Sequence, residues 1–178
     1  THKLVRTAKD IEDLKIRCSG SVQIKSMEAL GAGAVMMPSG EVYLALQRGT
    51  VDAILCGRYT VGGRRLEEVV KYVNLTPFNF NGQDVYTRLD RWNSLPKDVR
   101  DIFQEEFAWL PEAMVESQIK VANEEYLPRF KEAGLVEVEL TTAEIEGFKT
   151  ATAPAYEWWK SLVGEDVYDE YMKLVGRA

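Results

Sequence analysis

Short apolar runs and helical runs alternate three times between Leu14 and Tyr72, and this alternation restricts the fold more than any other feature of the chain. Leu14-Lys15-Ile16-Arg17-Cys18 reads as a strand that ends at the turn residues Ser19 and Gly20, and Val22 to Leu30 follows with helical spacing. Ala34-Val35-Met36-Met37 is a second strand stopped by Pro38, after which Gly40-Glu41 opens a helix to about Gln47. Val51 to Cys56 is a third apolar run closed by Gly57, and Leu66 to Tyr72 is spaced as a helix. Strands of about five residues joined by helices of about ten predict βαβ crossovers and a small parallel sheet with right-handed connections. Three strands then end on one edge, where open α/β sheets hold ligands.

The first strand delivers Arg17 to that edge. A guanidinium there offers a planar fork of donors to a carboxylate, whereas a surface arginine beside a turn is the plainer reading of the residue taken alone.

The order of residues carries a resemblance. Lys15-Ile16-Arg17, Glu28-Ala29-Leu30-Gly31, Met37-Pro38-Ser39-Gly40-Glu41-Val42-Tyr43, Ala45-Leu46-Gln47, Gly49, Val51-Asp52, Glu68-Val69, Lys71-Tyr72 and Trp92-Asn93-Ser94-Leu95-Pro96 stand in sequence. Lys131-Glu132-Ala133-Gly134 and Thr142-Ala143-Glu144 extend the pattern more loosely. Together they resemble the solute-binding proteins of TRAP (tripartite ATP-independent periplasmic) transporters over nearly the whole chain. The resemblance implies a periplasmic binding protein-like α/β fold whose two lobes close on a solute. Residues 1–73 are then an α/β ligand-binding lobe. Residues 74–178 supply hinge strands and the long helices of an incomplete second lobe, whose N-terminal part is missing from this chain. A self-sufficient small domain is the alternative. The resemblance further implies capture of a small carboxylate solute outside the cytoplasm, delivery to the membrane subunits of a TRAP permease, no catalysis and no cofactor.

The same resemblance assigns site residues. Arg17 matches the arginine that pairs with the solute carboxylate. Ser39 stands where many members place an aromatic side chain and Cys56 where many place an asparagine, so the pocket is expected to be roomier and less polar beside the third strand. Both departures count against a common C4-dicarboxylate or sialic acid. Arg58 is either a second cation for the solute or a solvated loop residue. Phe78 and Phe80 lie on the hinge segment that the resemblance turns toward the pocket, although strand aromatics more often belong to a core. In a lobe of this type the strand ends that carry Cys18 and Cys56 lie on the same side of the sheet, which leaves open a disulfide or two unpaired thiols.

Composition narrows the remaining classes. With 22 basic and 28 acidic residues the formal charge is -6, which argues against a nucleic-acid surface or an anchor on anionic membrane. The apolar runs are too short to cross a bilayer. Thr1-His2-Lys3 opens the chain without a signal peptide, so export rests on the resemblance alone. His2 is the only histidine and, with the two cysteines, falls short of a zinc site or a Ser-His-Asp triad. Gly31-Ala32-Gly33 precedes a strand instead of following one, the wrong order for a dinucleotide loop. Glu67/Glu68, Glu105/Glu106 and Glu124/Glu125 are neighbours that diverge on helices.

Beyond Tyr72 the pattern becomes architectural. Tyr72 to Phe80 and Asp84 to Leu89 alternate as strands, and a helix from Pro96 to about Ala133 bends near Pro111 and Pro128. Val136 to Leu140 reads as a strand, Thr142 starts a helix, Pro154 breaks it, and Asp166 to Leu174 is a terminal helix. In a fragment, the strands at 84–89 and 136–140 are expected to lack sheet partners. Two rival readings remain: a soluble enzyme acting on an organic acid, and a helical interaction module at 96–178 using Trp158 and Trp159.

Overall fold

The computed structural model describes residues 1–76 and 85–176. The chain divides into two compact units, residues 1–76 with 130–178, and residues 77–129. A division at residue 73 would leave 130–178 outside the first lobe; in the structure that segment shares the unit of residues 1–76.

In the first unit, β1 (Lys15–Cys18), β2 (Gly33–Met36) and β3 (Ala53–Ile54) form a parallel sheet in the order β2-β1-β3. Arg17 pairs in register with Val35 on one side and Ile54 on the other. Side chains alternate across a sheet, so Ile16 and Cys18 share one face with their neighbours Ala34 and Ala53, and Arg17 takes the opposite face. The first face carries a core: Ile16, Cys18 and Ala53 cluster with Ile11, with Met27 and Leu30, and with Phe148. Each such Leu or Phe buried from water contributes about 1.5–3 kcal/mol. Helix α1 (Ser21–Ala29) reaches its end at Leu30 and turns on Gly31, whose φ of +77° disfavours any side chain; an added Cβ there would also sit 3.2 Å from Glu12 Cγ.

β3 is shorter than its apolar run. Asp52 is turned to another task, its carboxylate accepting a hydrogen bond from the Lys15 amide at 2.8 Å and so fixing the start of β3 against β1. The helix expected at Leu66 to Tyr72 is absent. After α2 (Val42–Gln47), helix α3 occupies Arg58–Gly63, Arg65 takes a left-handed conformation with φ 54° that ends it, and one 3-10 turn, Leu66–Glu68, buries Leu66 before strand β4 (Tyr72–Asn74).

β4 pairs in parallel with β5 (Val136–Val138), Tyr72 opposite Val136 and Asn74 opposite Val138. The expectation that residues 136–140 lack a partner is therefore overturned. The strand expected at 84–89 is also not formed: residues 85–88 have no regular structure, and Leu89 begins helix α4 (Leu89–Ser94). Arg88 grips Asp90 there, an acid in a first helical turn, where the helix dipole favours it.

Helix α7 (Thr142–Ala151) starts from a capping box, Thr141 Oγ1 accepting from the Glu144 amide at 3.3 Å and Glu144 Oε2 accepting from the Thr141 amide at 2.7 Å. The Arg6 guanidinium clasps the same carboxylate at 2.6 and 2.8 Å, tying the N-terminal segment to α7. Pro154 sits in the first turn of α8 (Ala153–Val163), where a missing N–H costs nothing. α8 packs on α1, and Trp159 packs its ring against Tyr168 and Tyr171 of α9 (Glu165–Leu174) at 5.7 and 5.0 Å.

The second unit is helical. Pro96 leads into α5 (Lys97–Val121), which carries Pro111 inside it and passes through a π-helical turn, Ala122–Tyr126, into α6 (Leu127–Glu132). Phe103 stacks on Phe107 at 5.6 Å and meets Trp92 at 6.1 Å, while Ile102, Trp109, Val115 and Ile119 are exposed.

Candidate functional site

A parallel sheet ordered β2-β1-β3 reverses its direction of growth at β1. Right-handed crossovers to β2 and to β3 leave such a sheet on opposite faces, and the carboxyl ends of β1 and β3 are where open α/β sheets bind ligands. Arg17 stands on β1 at this point. Its side chain is only 5% exposed, and its Nε donates to the carbonyl of Met37, just past β2, at 2.8 Å. Among the described residues it makes no ion pair. Five donors serve a guanidinium, and a buried charge without a counter-charge is costly.

The turn after β1 is held by Gln23. The Ser19 amide and hydroxyl both donate to its Oε1, at 2.7 and 2.9 Å, and its Nε2 is buried with no partner among the described residues. Ser39 is half-buried in the 3-10 turn Ser39–Glu41, and Arg64 Nη2 donates to its hydroxyl at 3.2 Å. Arg58 is exposed at the first position of α3 and makes no hydrogen bond or ion pair among the described residues. Phe78 lies outside the described residues.

The cysteines are separate thiols on different faces. The Leu55 amide donates to the Arg17 carbonyl at 2.9 Å, which carries the strand alternation one residue past β3 and places Cys56 on the Arg17 side, opposite Cys18. A disulfide between them would need one chain to turn over. Burial pushes the Cys56 thiol up to about 11 against the opposing pull of the Arg17 charge. Burial does the same to Cys18, also to about 11. Both are therefore neutral at pH 7. Among the described residues, no group of three or more His, Cys, Asp or Glu side chains is placed to hold a metal ion.

Arg17, Ser39 and Cys56 are thus all placed at one sheet edge by β1, the segment after β2 and the segment after β3. The Met37 carbonyl, Gln23 and Arg64 join them without any signal in the residue pattern around Arg17. Only the glutamine, set in the first turn of a helix directly after Ser19-Gly20, was open to recognition as a brace.

The family model for bacterial extracellular solute-binding proteins, family 7 (DctP), matches residues 1–162. The C4-dicarboxylate-binding periplasmic protein DctP of Rhodobacter capsulatus is 30% identical over 165 residues, which cover 88% of this chain and 47% of that protein. The sialic acid-binding periplasmic protein SiaP of Vibrio cholerae is 27% identical over 168 residues, covering 94% of this chain and 51% of that protein. The periplasmic ectoine-binding protein of the Halomonas elongata TRAP transporter superposes with a TM-score of 0.80 at 20% identity, over 95% of this chain and 56% of that one. This chain spans about half the length of the curated relatives it matches. On the extent of the family match and the shared fold, the chain belongs to the family 7 bacterial extracellular solute-binding proteins.

Proposed function

We propose that this chain forms part of a two-lobed, extracytoplasmic protein that captures a carboxylate-bearing organic solute and hands it to the membrane subunits of a TRAP permease. The observation that carries the reading is Arg17: a buried guanidinium at the switch point of a parallel sheet, with one hydrogen bond to a carbonyl and no carboxylate partner among the described residues. A solute carboxylate supplies the missing counter-charge through a bidentate, charge-assisted contact. Ser39 and Cys56 form the adjoining wall. Arg58 faces solvent at the first position of α3, and Phe78 is a further candidate by the resemblance alone. The relatives bind, by their names, a C4-dicarboxylate and sialic acid, which supports an acidic solute without naming it.

In this reading no bond is made or broken. Closure of two lobes expels water, strengthens the ion contact, and presents a liganded shape to the permease, a signal set by the difference in solute affinity between open and closed states. The remainder of the second lobe comes from the rest of the same protein, consistent with the length of the relatives and with the exposed Ile102, Trp109 and Ile119 of α5.

Calorimetry on the full-length protein tests this. Arg17→Ala should weaken carboxylate binding by on the order of 1.5–3 kcal/mol, and Arg17→Lys, which keeps the charge and loses the fork, should weaken it measurably too. Unchanged affinity in both variants overturns the role of Arg17, and turnover of the bound acid would favour an enzyme instead.

A further inference from the structure

Gln23 is 7% exposed, and its carboxamide folds back over the turn between β1 and α1. The Ser19 amide and hydroxyl donate to its Oε1 at 2.7 and 2.9 Å. An amide N–H only donates, so this contact fixes which end of the carboxamide is oxygen and leaves Nε2 as the spare donor of the group. Nε2 is buried with no partner among the described residues, a costly state for a polar atom. The nine-residue helix that follows begins with more spare donors. α1 has no side-chain cap and no acidic residue in its first turn, and among the described residues nothing accepts from the Ser21 and Val22 amides. Ser19, Ser21 and Val22 are exposed, so this turn is open to solvent.

The register brings these donors level with the end of the Arg17 side chain. Cys18 pairs with Met36, so Ser19 and Met37 are the next residues of the two strands, about 4.8 Å apart where the sheet spacing continues. Arg17 Nε reaches the Met37 carbonyl at 2.8 Å, and Gln23 holds Ser19. The guanidinium and the carboxamide are thus anchored to neighbouring residues at one end of the sheet.

We infer that Gln23 and the first turn of α1 form a second set of donors for the carboxylate that Arg17 binds: Nε2 donates to an oxygen lone pair that the guanidinium fork leaves unfilled. This rests on the solute-capture reading above and deepens it. A carboxylate offers about four lone-pair sites, of which a bidentate arginine fills two. The others then meet neutral donors at a helix start, where negative charge is favoured. The terminal torsion of glutamine is broad, so a small rotation lets Nε2 meet an arriving oxygen while Oε1 keeps the turn in place.

Calorimetry and NMR on the full-length protein, with acetate, butyrate, pyruvate and succinate as probes, test the inference. Gln23→Glu keeps an oxygen for the Ser19 amide and hydroxyl, adds the acid that a helix start favours, and loses the donor. It should leave the melting temperature at or above that of the wild type. It should also weaken the tightest-binding probe about tenfold or more, the range of one charge-assisted hydrogen bond. In the wild type, the side-chain amide resonance of Gln23 should move on saturation with that probe. A Gln23→Glu variant that binds as the wild type does makes Gln23 a brace only and overturns the inference. So does an amide resonance that stays in place at saturation, which would assign any loss to the new charge. This readout uses the wild type, so it decides the matter even where the variant is unstable. In both cases, weakening of the probe by Arg17→Ala leaves the capture reading standing. Binding of none of the four probes, or indifference of the bound probe to Arg17→Ala, overturns that reading and the inference with it.

Discussion

Arg17, 5% exposed, sits on the central strand, fixed from both sides by Val35 and Ile54, and its Nε donates to the Met37 carbonyl. The cysteines beside it are governed by burial as well. A thiol that burial raises to about 11 reacts only through a minor thiolate fraction at neutral pH. Thiol-labelling kinetics should find Cys56 slower than a free cysteine at pH 8, with the rate climbing as pH approaches 11, and Cys18 labelled only on unfolding. Rapid labelling of Cys56 at pH 7, or a bridge to Cys18 in the oxidised protein, would contradict the two-face arrangement. Arg17 was legible in the residues because a strand followed by Ser19-Gly20 has few places to put it. Arg64 was not, since its partner Ser39 lies 25 positions away and no local pattern records such a reach. The approach of the two thiols, read only from strand ends on one side of the sheet, needed the register to show that they lie on opposite faces.

Elements held together by side chains, more than by propensity, are where pattern reading lost accuracy. Leu66 and Val69 are spaced for a helix, yet a 3-10 turn buries both, because the preceding Gly62-Gly63 and the left-handed Arg65 have already ended α3. β5 was legible as a strand, and its partner was not: the pairing with β4 joins residues 64 positions apart. α7, by contrast, was legible as a helix start at Thr142 with Glu144, while the capping box on Thr141 and the Arg6 clasp came with the fold. The Arg6 hydrogen bond, with the amide of Thr141, holds the Glu144 carboxyl down at about 2. A folded-state value below the ordinary 4.5 means the contribution is complete above that pH and is lost as pH falls from 4.5 toward 2. Acid titration of thermal stability should therefore show a loss in that window that Glu144→Gln reduces, with the variant less stable than the parent at pH 7. Parallel curves for parent and variant would remove the clasp from the account.

At the scale of the whole molecule, two compact units share one chain, and the chain spans about half the length of its curated relatives. The first unit ends its strands at the edge bearing Arg17, and the second leaves Ile102, Trp109, Val115 and Ile119 of α5 exposed. The α/β class and the parallel sheet were legible from three strand–helix alternations, whereas the strand order β2-β1-β3 came only with the structure. The return of residues 130–178 to the first unit was not, since it depends on β4 pairing with β5 and on α8 packing against α1. What the account claims above all is that a solute carboxylate completes the hydrogen bonding of Arg17. A crystal structure of the full-length protein with its co-purified solute measures this directly. The account predicts a carboxylate with both oxygens about 2.7–2.9 Å from the Arg17 guanidinium, while Nε keeps the Met37 carbonyl. A solute bound elsewhere, or one whose acid group meets a different cation while Arg17 touches only Met37, would contradict it.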